Sequence, residues 1–439
     1  MTQAPFRYCS APWTTAVYRV DGALLPCERN HTPYGPWQNG AATASWNGPV
    51  AQYFRREIAR GRFPNEMCER CYANHNQARF ESVAGAALRV HLPIVRNIEG
   101  IEADKIIQLE PILLQVPAID WAQRTYIKDA VSELTRGLRL PGGLNRSARL
   151  SIEKVTAICE AALAFFHGLE FVERAPLARL VNLISICNAR CIQCPFLFTG
   201  EIIEGYPAGP DTRIRELGGE FLADVFTDTQ NITNFFMYGS EFLLYRHWKE
   251  VAAALNSGGV RLSISTNGMT LNQKNADYLI ANEVFAFLNI SVDGSTKETI
   301  EAIRQNVRYD MFCRNVDYFF DRIENAPRFF HNISFSFCLM TDNYHELPDF
   351  LDFVLRLRGD RKQKFTLQIH GLAPLEFAGP DYRTFVEEHH HTRIDRDVLI
   401  KSLEQIAVVA EQNDIVVGLF YEWRLPDFLA KGCPFPALI

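Results

Sequence analysis

The segment Cys187-Asn-Ala-Arg-Cys191-Ile-Gln-Cys194 constrains this chain more than any other feature. Three thiols in a C-x3-C-x2-C run can wrap one iron–sulfur cluster, which ordinarily takes four Cys ligands. The next cysteine along the chain is Cys313, too distant to belong to the same run. One iron of a four-iron cluster would lack a protein ligand and bind something else, which marks a reactive centre and not only an electron store. Taken alone, the triplet also admits a zinc site or unconnected buried thiols.

From about residue 180 short apolar runs alternate with amphipathic stretches. The runs Leu180–Ile186, Ile232–Tyr238, Val260–Thr266, Phe285–Val292, Ile333–Met340 and Phe365–His370 predict six strands, and Ile415–Phe420 a seventh. Helices are predicted between them over Ile214–Phe226, Arg246–Leu255, Gln273–Asn282, Lys297–Arg308 and Glu346–Leu357, with another over about Val398–Glu411. Such alternation argues for an α/β fold with a parallel sheet, and each strand ends in polar or Gly residues, where α/β folds gather their chemistry. The Cys187 loop closes the first strand, Tyr238-Gly239-Ser240-Glu241 the second, Ser265-Thr266-Asn267-Gly268 the third, Ser291-Val-Asp293-Gly294 the fourth and Thr341-Asp-Asn343 the fifth. Asn267-Gly268 or Asp293-Gly294 alone reads as a turn; the order of the set carries the weight.

In that order the stretch from about Leu180 to about Leu375 resembles a radical S-adenosylmethionine (SAM) enzyme. The resemblance implies a partial (β/α)6 TIM-like barrel. Cys187, Cys191 and Cys194 would hold three irons of a [4Fe–4S] cluster, and SAM would chelate the fourth. Gly239, Ser240 and Glu241 stand where the family has Gly-Gly-Glu-Pro and would bind or shape the methionyl pocket. Ser265, Asn267, Ser291 and Asp293 are the further candidates for SAM contact. Gln193 stands where the family usually has an aromatic residue, Ser240 where it has Gly, and Phe242 where it has Pro. No catalytic side chain is assigned beyond the cofactor ligands.

Residues 1–80 read differently, with four cysteines, Trp- and Pro-bearing turns, and a helix from about Val50 to Arg60. A Cys-rich segment this short is expected to depend on metal for its stability. Cys9, Asp21-Gly22, Cys27 and the later Cys68-Glu-Arg-Cys71 are spaced as in SPASM/Twitch auxiliary-cluster domains, in which a hairpin carries two Cys and a C-x2-C supplies the rest. The resemblance implies one auxiliary [4Fe–4S] cluster on Cys9, Cys27, Cys68 and Cys71, placed before the barrel and not after it; a four-thiolate zinc site remains the alternative. Cys433 near the end of the chain is a bystander or a further ligand, while Cys159, Cys313 and Cys338 lie in apolar segments and read as packing residues.

The expected division is 1–84 auxiliary domain, 85–178 helical linker, 179–375 radical SAM core and 376–439 C-terminal extension. A net charge of −6 gives no support to a nucleic-acid surface. Neither a signal peptide nor a membrane-spanning run is seen, so a cytoplasmic location with reduced thiols is expected. His389-His-His391 is expected on a solvated loop or helix end, and the aromatic run Phe330–Phe337 in strand core. The implied activity is reductive SAM cleavage followed by hydrogen abstraction from a substrate carbon, with a peptide or protein as leading substrate and a flavodoxin or ferredoxin as reductant. A sugar, nucleotide or other small metabolite is the alternative substrate, and a non-catalytic iron–sulfur or zinc binding protein is the alternative of another class.

Overall fold

The computed structural model describes residues 9–74, 161–420 and 437–438, apart from positions 10, 28, 162–163, 166, 201–202, 205–215, 227–228, 233, 238, 259, 283, 285, 325–329, 373–374 and 376–377. Cys159, Cys433, Tyr238 and most of the expected helical linker lie outside these residues. The chain divides into two compact units, Met1–Asn182 with Leu217–Phe236 and Ala254–Arg261, and Leu183–Glu216 with Met237–Ala253 and Leu262–Ile439.

In the first unit β1 (Thr15–Tyr18) pairs antiparallel with β2 (Ala23–Leu25), which pairs antiparallel with β3 (Gly35–Pro36). The tight turn between β1 and β2 uses Gly22 at φ +90°, a value that glycine adopts without a steric penalty. On its other edge β1 runs parallel to β4 (Ala178–Val181), with Thr15 opposite Ala178. Beyond β4 lies β5 (Asn234–Met237). Trp13, Trp37 and Trp46 are buried, and each indole N–H reaches a carbonyl: Leu169 at 2.8 Å, Arg19 at 2.9 Å and Arg174 at 2.9 Å. Tyr18, Tyr34 and Phe54 complete this aromatic core, so the N-terminal segment has a packed interior besides its thiols. The helix Pro49–Ala59 starts on a proline and buries Ala51, Phe54, Arg55 and Ile58, the i, i+3, i+4, i+7 stripe of one face.

The second unit is a parallel α/β layer. β6 (Arg261–Thr266), β7 (Ala286–Ser291), β8 (Phe330–Leu339), β9 (Thr366–Gly371), β10 (Val416–Phe420) and β11 (Ala437–Leu438) follow one another across it, every neighbouring pair parallel. Side chains alternate along the strands with period two. Ile264, Leu288, Ile290, Phe335, Phe337, Leu367 and Ile369 are buried on one face. The intervening positions, Ser263, Ser265, Asn289, Ser291, Ser334, Ser336, Gln368 and His370, make the other face polar. Strands covered by helices on both faces read as unbroken apolar runs; these do not, which reserves the polar face for a site.

Helices begin on side-chain caps where the sequence offers them. Asn272 accepts from the Asn275 N–H before Gln273–Ala281, Thr296 from Thr299 before Lys297–Ile303, and Asp395 from Asp397 and Val398 before Arg396–Gln412. Two expected helices are shorter than predicted. Residues 216–218 are not helical, Glu216 bridging to Ile184, and only Gly219–Val225 turn helically. Lys297–Ile303 stops because Arg304–Gln305 leaves it to pair with Arg190–Cys191, and Asn306 turns through φ +68°. Two helices were not foreseen, Tyr309–Glu324 and Gly379–His389. The first expected strand splits into Ala178–Val181 and Ile186–Cys187. No helix among the described residues is long and apolar enough to cross a membrane.

Candidate functional site

The three clustered cysteines sit on a loop pinned at three points. Ile186–Cys187 pairs with Ile203–Glu204, Arg190–Cys191 pairs antiparallel with Arg304–Gln305, and the Ile192 N–H donates to Ile303 O at 2.9 Å. Cys194 caps the short helix Pro195–Phe198. Burial pushes all three thiols up. At Cys191, which rises to about 12, Arg304 opposes this while Cys194, Asp293 and Glu241 add to it. At Cys187 the neighbours that add are Glu241, Cys191 and Cys194. The thiols thus share one buried neighbourhood in which bare thiolates repel one another, and a cationic centre inverts that balance. Three thiols are the donor chemistry that a metal–sulfur group takes, although among the described residues no group of three or more His, Cys, Asp or Glu is placed closely enough to hold a metal ion as it stands.

Around this loop the strand-end motifs converge. Gly239 has φ +91°, where a side chain would be strained. Glu241 is buried, and its carboxylate accepts Thr266 Oγ1 at 2.8 Å, the Asn267 N–H at 3.0 Å and Thr270 Oγ1 at 2.5 Å. Burial raises its pKa in spite of these bonds. Its role is therefore to fasten the 266–270 turn. Asn267, so placed, directs Nδ2 to Asn188 Oδ1 at 2.7 Å and towards Cys187 Sγ at 3.7 Å. Asp293, at φ +64°, binds Gln193 Nε2 at 2.7 Å, Arg304 Nη1 at 2.5 Å and the Cys338 N–H at 2.7 Å. Its own carbonyl accepts Asn343 Nδ2 at 3.0 Å. Gln193, odd for its position in the sequence, is thus the link between the cysteine loop and the fourth strand end. Ser265 and Ser291 lie on the polar sheet face, joined through Asn289 and Ser336 at 3.1–3.4 Å. Ser240 is half-buried.

Arg304 and Asn289 were missed by the sequence reading. Arg304 lies eleven positions after its partner Asp293, on a stretch that reads as helix, and only its pairing with Cys191 brings it to the site. Asn289 sits mid-strand, where alternation predicts a face but not a network. Cys338 packs with Met340 and Tyr382 as expected, and also lends its N–H to Asp293. The histidine run is less solvated than expected: His389 pairs with Asp342 at 2.6 Å, and His391 is fully buried, which lowers its pKa to about 3. Phe335, Phe337 and Tyr245 are buried.

The other four cysteines all lie in the first unit. Cys27 follows β2, and Cys68 and Cys71 share one face of the helix Glu66–Asn74 at i, i+3 spacing. The Cys9 thiol is pushed well above its usual value, by burial first and then by Cys27, Cys68 and Cys71. Cys9 is thus within electrostatic reach of the other three sulfurs, and four thiols are a donor chemistry that suits a metal–sulfur group.

Residues 181–354 match the model of the Radical SAM superfamily. That segment of the chain therefore carries a radical SAM domain. A protein of Archaeoglobus fulgidus with no described activity is 23% identical over 243 residues, 54% of this chain and 52% of that protein, so the match spans about half the length of this curated relative. Among solved structures, Streptococcus suis SuiB bound to S-adenosylmethionine is 14% identical with a TM-score of 0.44, covering 74% of this chain and 68% of that one. The structure of anSMEcpe with bound AdoMet and Cp18Cys peptide is 16% identical with a TM-score of 0.38, covering 56% and 64%.

Proposed function

We propose that this enzyme binds a [4Fe–4S] cluster on Cys187, Cys191 and Cys194 within a partial (β/α)6 barrel, cleaves SAM reductively and abstracts hydrogen from a carbon of a peptide or protein. The observation that carries this reading is the three-thiol loop inside the segment that matches the family model. A cluster held by Cys187, Cys191 and Cys194 would supply the one electron that reductive cleavage of the SAM carbon–sulfur bond requires, with methionine as the leaving group and the hydrogen of the substrate carbon ending on 5′-deoxyadenosine. Gly239 gives the backbone room to approach the methionyl group, and Ser240 lines its path. Glu241 holds the turn that presents Asn267 to Cys187. Asp293, steadied by Gln193 and Arg304, together with Ser265 and Ser291 on the polar face, forms the wall against which the nucleoside would rest. The thiols are half-buried, and substrate seated over them would complete the exclusion of water from the reacting centre.

Cys9, Cys27, Cys68 and Cys71 hold an auxiliary [4Fe–4S] cluster in this reading, and the resemblance of their spacing to SPASM/Twitch domains favours a peptide over a small metabolite. A flavodoxin- or ferredoxin-type protein in the cytoplasm supplies the electron. The test is anaerobic reconstitution with dithionite and SAM. The intact chain forms 5′-deoxyadenosine, and the variant with Cys187, Cys191 and Cys194 changed to Ala forms none. Absence of product from the intact chain, or equal product from both, overturns the reading. Deuterium passing into 5′-deoxyadenosine from labelled peptides rather than from labelled sugars decides the substrate class.

A further inference from the structure

The four-thiol site of the first unit carries two polar side chains that the cysteine spacing does not specify. Asn30 is 2% exposed and is the bridge partner of Cys27. Its Nδ2 donates to Cys68 Sγ at 3.1 Å and to Asn65 Oδ1 at 2.9 Å. Asn65 returns a bond to Asn30 Oδ1 at 3.2 Å, holds Thr32 Oγ1 at 2.9 Å, and accepts the Cys68 N–H at 3.0 Å. The Asn30 amide is thus fixed from both sides, with one proton committed to sulfur.

Tyr34 follows the β1–β2 hairpin in sequence. Its N–H donates to Leu24 O at 2.7 Å, two positions before the strand turns towards Cys27. Its ring packs edge-on against Phe54 at 5.6 Å and tilted on Trp46 at 6.2 Å. The residue is 4% exposed, and its hydroxyl is buried with no hydrogen-bond partner among the described residues. Burial raises the phenol well above its ordinary pKa; Arg55 opposes this, and Cys27, Cys9 and Cys68 add to it, so the ring lies within electrostatic reach of these thiols. A buried hydroxyl without an acceptor costs about 1–3 kcal/mol, and native proteins seldom leave one. A sulfur of a bound group supplies the missing acceptor.

We propose that Asn30 and Tyr34 are positioning residues for the auxiliary iron–sulfur cluster, the amide donating to Cys68 and the phenol to a cluster sulfur, and that together they raise its reduction potential. This rests on the auxiliary-cluster reading above. Donors to sulfur stabilise the more negative, reduced state over the oxidised one, and such bonds are among the determinants of cluster potential.

The experiment uses the full chain with Cys187, Cys191 and Cys194 changed to Ala, so that one cluster remains, titrated potentiometrically by EPR. Tyr34→Phe removes only the hydroxyl and keeps the ring contacts; Asn30→Leu removes the amide. Each is expected to retain about four irons and to lower the reduced-to-oxidised ratio at fixed potential about tenfold, which is about 59 mV for one electron. Tyr34→Phe decides the matter if Asn30→Leu does not fold. Four irons with an unmoved midpoint overturn the inference and leave the cluster standing. A parent chain that holds zinc or no metal overturns the reading beneath it, and the inference with it.

Discussion

The Glu346 carboxylate accepts the Ser295 backbone N–H at 2.6 Å, fastening the loop that follows Asp293 to the helix that begins at Leu347. Ser295 Oγ at 3.1 Å, the Thr296 N–H at 3.0 Å and Thr299 Oγ1 at 2.5 Å converge on the same carboxylate, with the Thr296 hydroxyl as a further donor. One side chain so saturated sets the position of a whole strand-end loop.

Replacing Glu346 with Gln is expected to cost about 1–3 kcal/mol, because the amide cannot accept from all these donors. Burial opposes ionisation of Glu346, but the bonds from Ser295, Thr296 and Thr299 outweigh it and hold the carboxyl below its usual range. A depressed folded pKa gives stability that is complete above the unfolded value of about 4.3 and lost as pH falls through the folded one. Urea unfolding of both proteins from neutral to acid pH should therefore show a gap that narrows on acidification. A gap that is constant with pH contradicts the assignment.

Gly268→Ala should destabilise the chain by about 2–4 kcal/mol. Gly268 has φ +77°, and an added Cβ would stand 2.6 Å from the Phe312 ring. The denaturation midpoint measures this. In the double variant with Phe312→Ala the steric part is relieved and the backbone part persists, so the two substitutions are less than additive.

Arg55→Lys should cost about 2–3 kcal/mol in thermal or chemical unfolding. The guanidinium is fully buried and donates to Pro12 O and Trp46 O at 2.8 Å, Glu170 O at 2.8 Å and Asn47 Oδ1 at 3.0 Å. It also lies 4.5 Å above the Trp46 ring. An ammonium reaches only part of that fan, and among the described residues no carboxylate pairs with it. Retention of full stability would show that Lys can satisfy the same carbonyls.

Changing Cys9, Cys27, Cys68 and Cys71 to Ala should lower iron from about eight to about four per chain, while SAM cleavage without substrate persists. Iron near eight in that variant contradicts an auxiliary site.

The strand ends were legible because β-branched and aromatic runs stop at Gly, Asn and Asp, and the cysteine spacings stand out against any background. The helix Tyr309–Glu324 carries Phe312, Val316, Phe319, Phe320 and Ile323 on one buried face, a periodicity open to reading that was passed over. Other features follow from pairings that no local pattern records. Arg304 meets Cys191 through a two-residue ladder, and Asn30 meets Cys68 across thirty-eight positions. Gln193 stands where the family usually has an aromatic residue, and its partner, Asp293, is a hundred positions away in the chain, beyond any local pattern.

The parallel seam between Thr15–Tyr18 and Ala178–Val181 joins the front of the chain to the first strand of the matched domain. A ribosome must synthesise everything between the two before the seam can close, so the early thiols wait on a late neighbour. Trimming the leading residues, or tethering a bulky tag hard against Thr15, would strip a strand from the sheet and bare a ladder of unpaired amides along Ala178–Val181.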